Sequence, residues 1–212
     1  MTDVNGAAAL QLESASSSNL RAPLFAALVE HLRQDQRWVI LDLGPAQSAS
    51  IRFFNRFRCR LDIADLPADL TTLNGTADKH SLRQQCEAIL PPAQNNATDV
   101  VLCWSLLNYL ERPALTAMMA TIAARARPGT LVHALIVYSA SHMPVQPNRY
   151  HPIVVPAANG DDSIALASTT VTVANRDAPR YTPDDLARCM PRYQVERGML
   201  LNNGMQEFLF RL

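Results

Sequence analysis

The sequence predicts an α/β fold: a doubly wound, mostly parallel sheet that ends in a C-terminal antiparallel hairpin. Three observations lead there. Apolar runs of strand length alternate with stretches of helical periodicity. Two of the runs, Trp38-Val39-Ile40-Leu41 and Val100-Val101-Leu102-Cys103, are continuously apolar, as strands covered on both faces are. The last two runs are separated by Asn202-Asn203-Gly204, whose residue types favour a tight hairpin turn. A chain of 212 residues with 48% hydrophobic and 18% charged content is long and apolar enough to bury one substantial core.

The elements follow in order. Residues 1–18 are rich in Ala and Ser and are expected to form a flexible tail ahead of one domain over 19–212. A helix is expected from Leu20 to Gln34, because Phe25, Leu28, Val29 and Leu32 share one face at i, i+3, i+4 and i+7. The first strand covers 38–43, and Ile51, Phe53, Phe54 and Phe57 mark a short helix after the next turn. Cys59, Leu61 and Ile63 alternate with polar residues, so a second strand covers 60–64 with Asp65 at its end. His80 to Leu90 admits two readings. Leu82, Cys86, Ile89 and Leu90 fit a helical face, while a complete fold would place a strand about here.

Asp99 to Trp104 reads as the next strand. A helix follows, with Pro113 in its first turn, Leu115, Met118, Met119 and Ile122 as its apolar stripe, and Pro128-Gly129 as its end. Thr130 to Tyr138 is another buried strand. Residues 139–180 are rich in Pro, Asn, Asp and Ser and β-prone only at Thr169 to Val173; a connection this long is expected to be a lid or insertion. Thr182, Pro183, Asp184 and Asp185 start a helix that reaches about Met190. Strands at 193–200 and 205–212 complete the chain.

Composition removes several function classes. The formal net charge is zero, which gives no general attraction to nucleic acid or to an anionic membrane surface. Arg52, Arg56, Arg58 and Arg60 lack interleaved aromatics and read as a solvated face rather than an RNA grip. No apolar run approaches the length of a membrane span, and the N-terminus lacks the basic start and apolar centre of a secretory signal. The four cysteines, Cys59, Cys86, Cys103 and Cys189, have no zinc-like spacing and suit a reduced cytoplasmic protein. No nucleophile elbow and no Walker loop occur, and the turn after the first strand does not match the nicotinamide-binding pattern.

Four stretches together resemble the class I S-adenosylmethionine-dependent methyltransferases, over roughly residues 20–212. They are Val39-Ile40-Leu41-Asp42-Leu43-Gly44-Pro45; Asp65, 23 residues beyond Asp42; the run from Asp99 to Leu110; and Arg127 to Ile136, followed later by Tyr181 to Leu186 and the terminal hairpin. The resemblance implies a Rossmann-like methyltransferase sheet of seven strands, the last inserted antiparallel beside the fifth and sixth. It implies S-adenosylmethionine as cofactor. It also implies that Asp42 contacts the cofactor's methionine end, that Gly44 lets the backbone approach it, and that Asp65 accepts the ribose hydroxyls, a role suited to two carboxylate oxygens. Glu87 joins the adenine site if the stretch around it is a strand, and is a solvated charge if it is a helix. Trp104 would wall the pocket.

One departure matters. Family turns carry two or three glycines, whereas here Pro45, Ala46, Gln47 and Ser48 follow Gly44. Proline lacks an N–H, and side chains at 46 and 48 would intrude where the cofactor lies, although Ala46, Ser48 and Ala49 are small and Pro45 and Ala46 remain expected cofactor contacts. Two functions follow: methyl transfer to a small-molecule or protein acceptor, or a methyltransferase-like binding or scaffold module without catalysis. On the acceptor side, Ser105, Asn108 and Tyr109 follow the fourth strand, and His142, Tyr150 and His151 lie in the long segment. Asn108 and Tyr109 could orient a substrate or simply cap a packed turn. A histidine there could act as general base or simply be solvated.

Overall fold

The computed structural model describes residues 17–33, 36–92, 96–156 and 162–212. The expected tail therefore lies largely outside the described residues, but its last two do not. Ser17–Leu20 form strand β1, and the first helix, α1, spans Pro23–Leu32, shorter than the expected Leu20 to Gln34. Proline at the first helical position sets that start.

The parallel core is built from β2 (Trp38–Asp42), β3 (Cys59–Ile63), β4 (Thr98–Trp104) and β5 (Ala126–Val137). Helix α2 (Ser48–Phe54) connects β2 to β3, α3 (Leu70–Gly75) and α4 (Lys79–Ile89) connect β3 to β4, and α5 (Arg112–Arg125) connects β4 to β5. After β5 come short strands β6 (His142–Pro144), β7 (Arg149–Val155), β8 (Ser163–Thr169) and β9 (Asn175–Asp177). Helix α6 (Pro183–Cys189) and strands β10 (Gln194–Leu200) and β11 (Met205–Arg211) follow.

The main sheet runs β10-β11-β5-β4-β2-β3. β5, β4, β2 and the edge strand β3 are mutually parallel, and β11 lies antiparallel to both β5 and β10. This is a mixed α/β, doubly wound sheet of the Rossmann-like type. It has six strands among the described residues, not the expected seven, because the stretch between β3 and β4 is helical. Asp78 accepts the Ser81 N–H and caps α4, and Leu82 and Cys86 turn inward from it.

The strand period of two decides which core each side chain joins. From β4, Val101 and Cys103 pack with α3, α4, α5 and α6, while Val100, Leu102 and Trp104 pack with α1 and α2 on the other face. Both faces are thus apolar, as the two continuous runs require. Each large side chain sealed in this way contributes roughly 2 kcal/mol.

Two buried acids fix the layers. Asp99 accepts the Val39 N–H at 2.8 Å and the Arg127 Nε at 2.8 Å, locking β4 beside β2. Glu207, fully buried on β11, accepts the Leu24 and Phe25 N–H groups at 3.0 and 2.8 Å and lies 2.9 Å from His133 Nε2. It caps α1 from across the sheet, since Ala22 provides no side-chain cap, and its charge suits the positive end of the helix.

Residues 139–180 contain more order than their composition suggests. Strand β8 pairs with β1 on one side and β7 on the other in a separate three-stranded antiparallel sheet, and β6 pairs with β9. The β-prone stretch expected at Thr169 to Val173 is displaced: the strand is Ser163–Thr169. Two other boundaries also shift. α5 ends at Arg125 and β5 begins at once, so Pro128-Gly129 lies inside the strand's outer end rather than closing the helix. Thr182 and Asp185 form a reciprocal capping box at α6. The terminal hairpin forms as expected, with Gly204 at φ +80°.

Candidate functional site

In a parallel sheet wound both ways, the crevice forms where the chain's direction of travel across the sheet reverses, beyond the strands' C-terminal ends. Here that point lies between β2 and β4. β2 ends at Asp42 and the chain continues through Gly44 and Pro45, and β4 ends at Trp104 and the chain continues through Ser105.

Asp42 and Trp104 meet at this point. Asp42 is 2% exposed, and its Oδ1 accepts the Gly44 N–H at 2.8 Å and the Trp104 Nε1–H at 2.6 Å. Burial pushes its pKa up to about 6, against the lowering effect of the two donors. Trp104 has φ +49°, unusual for a bulky residue. Its conformation is held by the bond to Asp42, by stacking on Tyr150 (13° between planes) and by Phe25 at 5.6 Å.

The need for glycine at 44 follows directly. A Cβ there would lie 3.0 Å from Trp104 Nε1 and 3.1 Å from both Trp104 Cδ1 and Asp42 Oδ1. The resemblance gave the space beside Gly44 to a cofactor and gave Trp104 a wall of the pocket. In the structure the indole itself fills that space.

Asp65 is arranged oppositely. It is exposed, sits in the left-handed region at φ +45°, and makes no side-chain cap to the turn that follows. With Pro45, Tyr109, Asn148, Arg149 and Arg176 it lines a cavity of about 580 Å³. Ala46 is exposed and outside that lining.

A second cavity, about 350 Å³, is lined by Ser105, Asn108, Tyr109, His142, Asn148 and Tyr150, among others. The two cavities share Tyr109 and Asn148. The Tyr109 hydroxyl donates to the carbonyls of Pro144 and Gln146 at 3.0 and 3.2 Å, tying the shared wall to the insertion. Asn148 Oδ1 is buried without a partner at the same wall. The Tyr150 hydroxyl donates to Met205 Sδ at 3.9 Å, and burial raises its pKa.

Asn108 was expected either to orient a substrate or to cap a packed turn. Its amide donates to the Ser105 and Leu135 carbonyls, both at 2.8 Å, and accepts the Val137 N–H at 2.9 Å, as a turn cap does. It braces the loop after β4 against β5. His142 is exposed, with Nδ1 2.9 Å from Ser141 Oγ and Nε2 3.5 Å from Asp177 Oδ1. His151 lies outside both linings, and burial lowers its pKa.

Glu87 is on α4, not on a strand, and it pairs with Arg83 at 3.0 Å. It borders a different cavity, about 720 Å³, between α4 and α5 and away from the strand ends. The condition that would have placed it beside an adenine is therefore not met. Asn148, Arg149 and Arg176 were missed from the sequence, because no periodicity or motif marks them within 139–180. Among the described residues no cluster of His, Cys, Asp and Glu could hold a metal ion, and no helix is long and apolar enough to cross a membrane.

No family model matches the chain, and no curated protein matches it either. Solved structures do show likeness in backbone course. The glycopeptide N-methyltransferase MtfA complexed with S-adenosylmethionine is 12% identical, with 91% of this chain and 95% of that one aligned at a TM-score of 0.46. The 1,6-didemethyltoxoflavin-N1-methyltransferase of Burkholderia thailandensis, with bound S-adenosylhomocysteine, is 14% identical over 88% of this chain and 76% of that one, at 0.45. CalS10, an amino pentose methyltransferase from Micromonospora echinaspora, is 15% identical over 89% of each chain, at 0.46.

Proposed function

We propose that the chain binds S-adenosylmethionine in the Asp65 cavity and transfers its methyl group to a small molecule held in the adjoining cavity. The carrying observation is the pair of cavities at the C-terminal strand ends, joined through Tyr109 and Asn148. Both volumes suit small ligands.

The residues fit the cofactor at its ribose. Asp65 offers an exposed carboxylate without an ion-pair partner among the described residues. Asp42 does not fit the methionine end in the same way, because its oxygen is already bonded within the chain. Bound there, S-adenosylmethionine supplies an electrophilic methyl carbon. This chain's own contribution is positional, as methyl transfer to a good nucleophile demands. Tyr109 and Asn148 separate and align the two ligands, and Tyr150 and Ser105 shape the acceptor side. His142, near Asp177, is the lining group suited to take up a proton. The segment 139–180 acts as the lid, since its residues 140–150 contribute to both linings.

The acceptor is a small molecule rather than a nucleic acid. The second cavity's lining is neutral apart from His142, and the whole chain carries no net charge. Four free thiols, three of them buried, suit the cytoplasm.

Calorimetric titration with S-adenosylmethionine and S-adenosylhomocysteine tests the reading. Wild-type protein should bind both, and Asp65→Ala should bind about 10–100-fold more weakly, the usual cost of losing hydrogen bonds to a charged group. Folded protein that gives no heat at millimolar ligand would sink it. That result would favour the second reading, a binding module without catalysis, which the Trp104 indole over Gly44 supports.

A further inference from the structure

The cavity that holds Asp65 also holds two guanidinium groups. Arg149 stands on β7 and Arg176 on β9, both exposed and both lining it. Among the described residues neither has a carboxylate partner, and neither pairs with Asp65. One negative and two positive groups therefore face one cavity without neutralising each other. A cavity with this lining is complementary to a ligand carrying both hydroxyl and anionic groups.

Arg176 is already positioned for such a ligand. Its guanidinium lies 4.9 Å above the Tyr109 ring, and its Nη2 donates to the Asn108 carbonyl at 3.1 Å. Stacking fixes the plane, and the single backbone bond leaves the other N–H donors of the fork open. Asn108, saturated by backbone groups, holds the carbonyl that anchors it. An arginine docked before binding loses less freedom when it grips an anion.

We infer that Arg176, seconded by Arg149, binds the α-carboxylate of the amino-acid end of the ligand whose ribose Asp65 holds. The inference rests on the cofactor reading above and supplies what that reading lacks. Asp42 is sealed behind Trp104, so recognition of the amino-acid end passes to a residue from the insertion. The ribose and the charged amino-acid end are then read by different parts of the chain, one by the sheet and one by the lid.

The test compares two ligands that share the nucleoside thioether. S-adenosylhomocysteine carries the amino-acid end, and 5′-methylthioadenosine lacks it. Both are titrated calorimetrically into wild type, Arg176→Met and Arg149→Met. Methionine keeps an aliphatic stem over Tyr109 without the charge. Arg176→Met is expected to weaken S-adenosylhomocysteine about 10–100-fold and to leave 5′-methylthioadenosine within about twofold. Arg149→Met should show the same selectivity with a smaller loss. Unchanged S-adenosylhomocysteine binding in Arg176→Met, or equal weakening of both ligands, overturns the inference while leaving the cofactor reading standing. Wild-type protein that binds neither ligand overturns both.

Discussion

Asp42 and Asp65 follow neighbouring parallel strands, yet the fold treats them in opposite ways. Asp42 is 2% exposed, doubly bonded within the chain, and pushed up to about 6. Asp65 is exposed, held at φ +45°, and faces a cavity. The difference comes from what lies beyond each strand end. Past Asp42 the indole of Trp104 folds back across Gly44 and covers the carboxylate. Past Asp65 the chain turns away into the segment that leads to α3, and nothing covers the carboxylate. An acid at a strand end thus stays open to solvent only where no neighbouring strand sends a side chain over it.

The largest expected effect separates the two by stability. Asp42→Ala leaves the Trp104 and Gly44 N–H groups without an acceptor in a buried site, at about 1–3 kcal/mol each, so a loss of roughly 4 kcal/mol is expected. Asp65→Ala removes no internal bond and should stay within about 1 kcal/mol, a left-handed alanine being the main cost. Urea unfolding of both variants at about pH 5 measures the contrast. Equal losses would mean that Asp65 is structural after all.

A second, smaller difference is expected with pH. The folded-state pKa of Asp42, about 6, lies above its unfolded value near 3.8, so between these pH values the native state keeps a proton that the unfolded chain has released. The stability tied to this group is complete below about pH 4, is lost as pH rises through about 6, and is flat above. Asp42→Asn keeps an acceptor oxygen and does not titrate. Relative to wild type it should therefore gain roughly 2–3 kcal/mol between about pH 4 and pH 7. A constant difference across that range would mean that Asp42 titrates alike in both states.

The same contrast explains what was legible in the sequence. The frame was readable because burial on both faces leaves continuous apolar runs, as in β2 and β4, and because Thr182 and Asn202-Asn203-Gly204 carry local capping and turn chemistry. Strand β1 was not readable: Ser17-Ser18-Asn19-Leu20 is polar and largely exposed, and its partner strand β8 (Ser163–Thr169) is remote in the sequence. Pro144 and Pro152 fall within β6 and β7, so no alternation marks those two strands, and β9 is only three polar residues long. At the site, Asp65 was visible as a carboxylate at a strand end. Arg176 was not, because its importance depends on Tyr109 across a long-range contact. The crossing of Trp104 over Gly44 was also hidden, since it depends on a backbone conformation that no residue type announces.

Trp104 offers the finest test of the comparison. Trp104→Phe keeps an aromatic ring between Phe25 and Tyr150 but removes the one indole donor, 2.6 Å from Asp42 Oδ1. That donor holds the Asp42 pKa down, so without it burial acts less opposed and the carboxyl should titrate still higher. The loss of stability should then depend on charge. It should be about 1–2 kcal/mol at neutral pH, where the bond is made to a carboxylate, and about half that near pH 4, where Asp42 is protonated. Denaturant titrations at the two pH values read the difference directly. An equal loss at both would assign the effect to ring packing alone. A loss confined to neutral pH would show that the indole stabilises the buried charge, and that Asp42 stays sealed from ligand because Trp104 has taken the place of one.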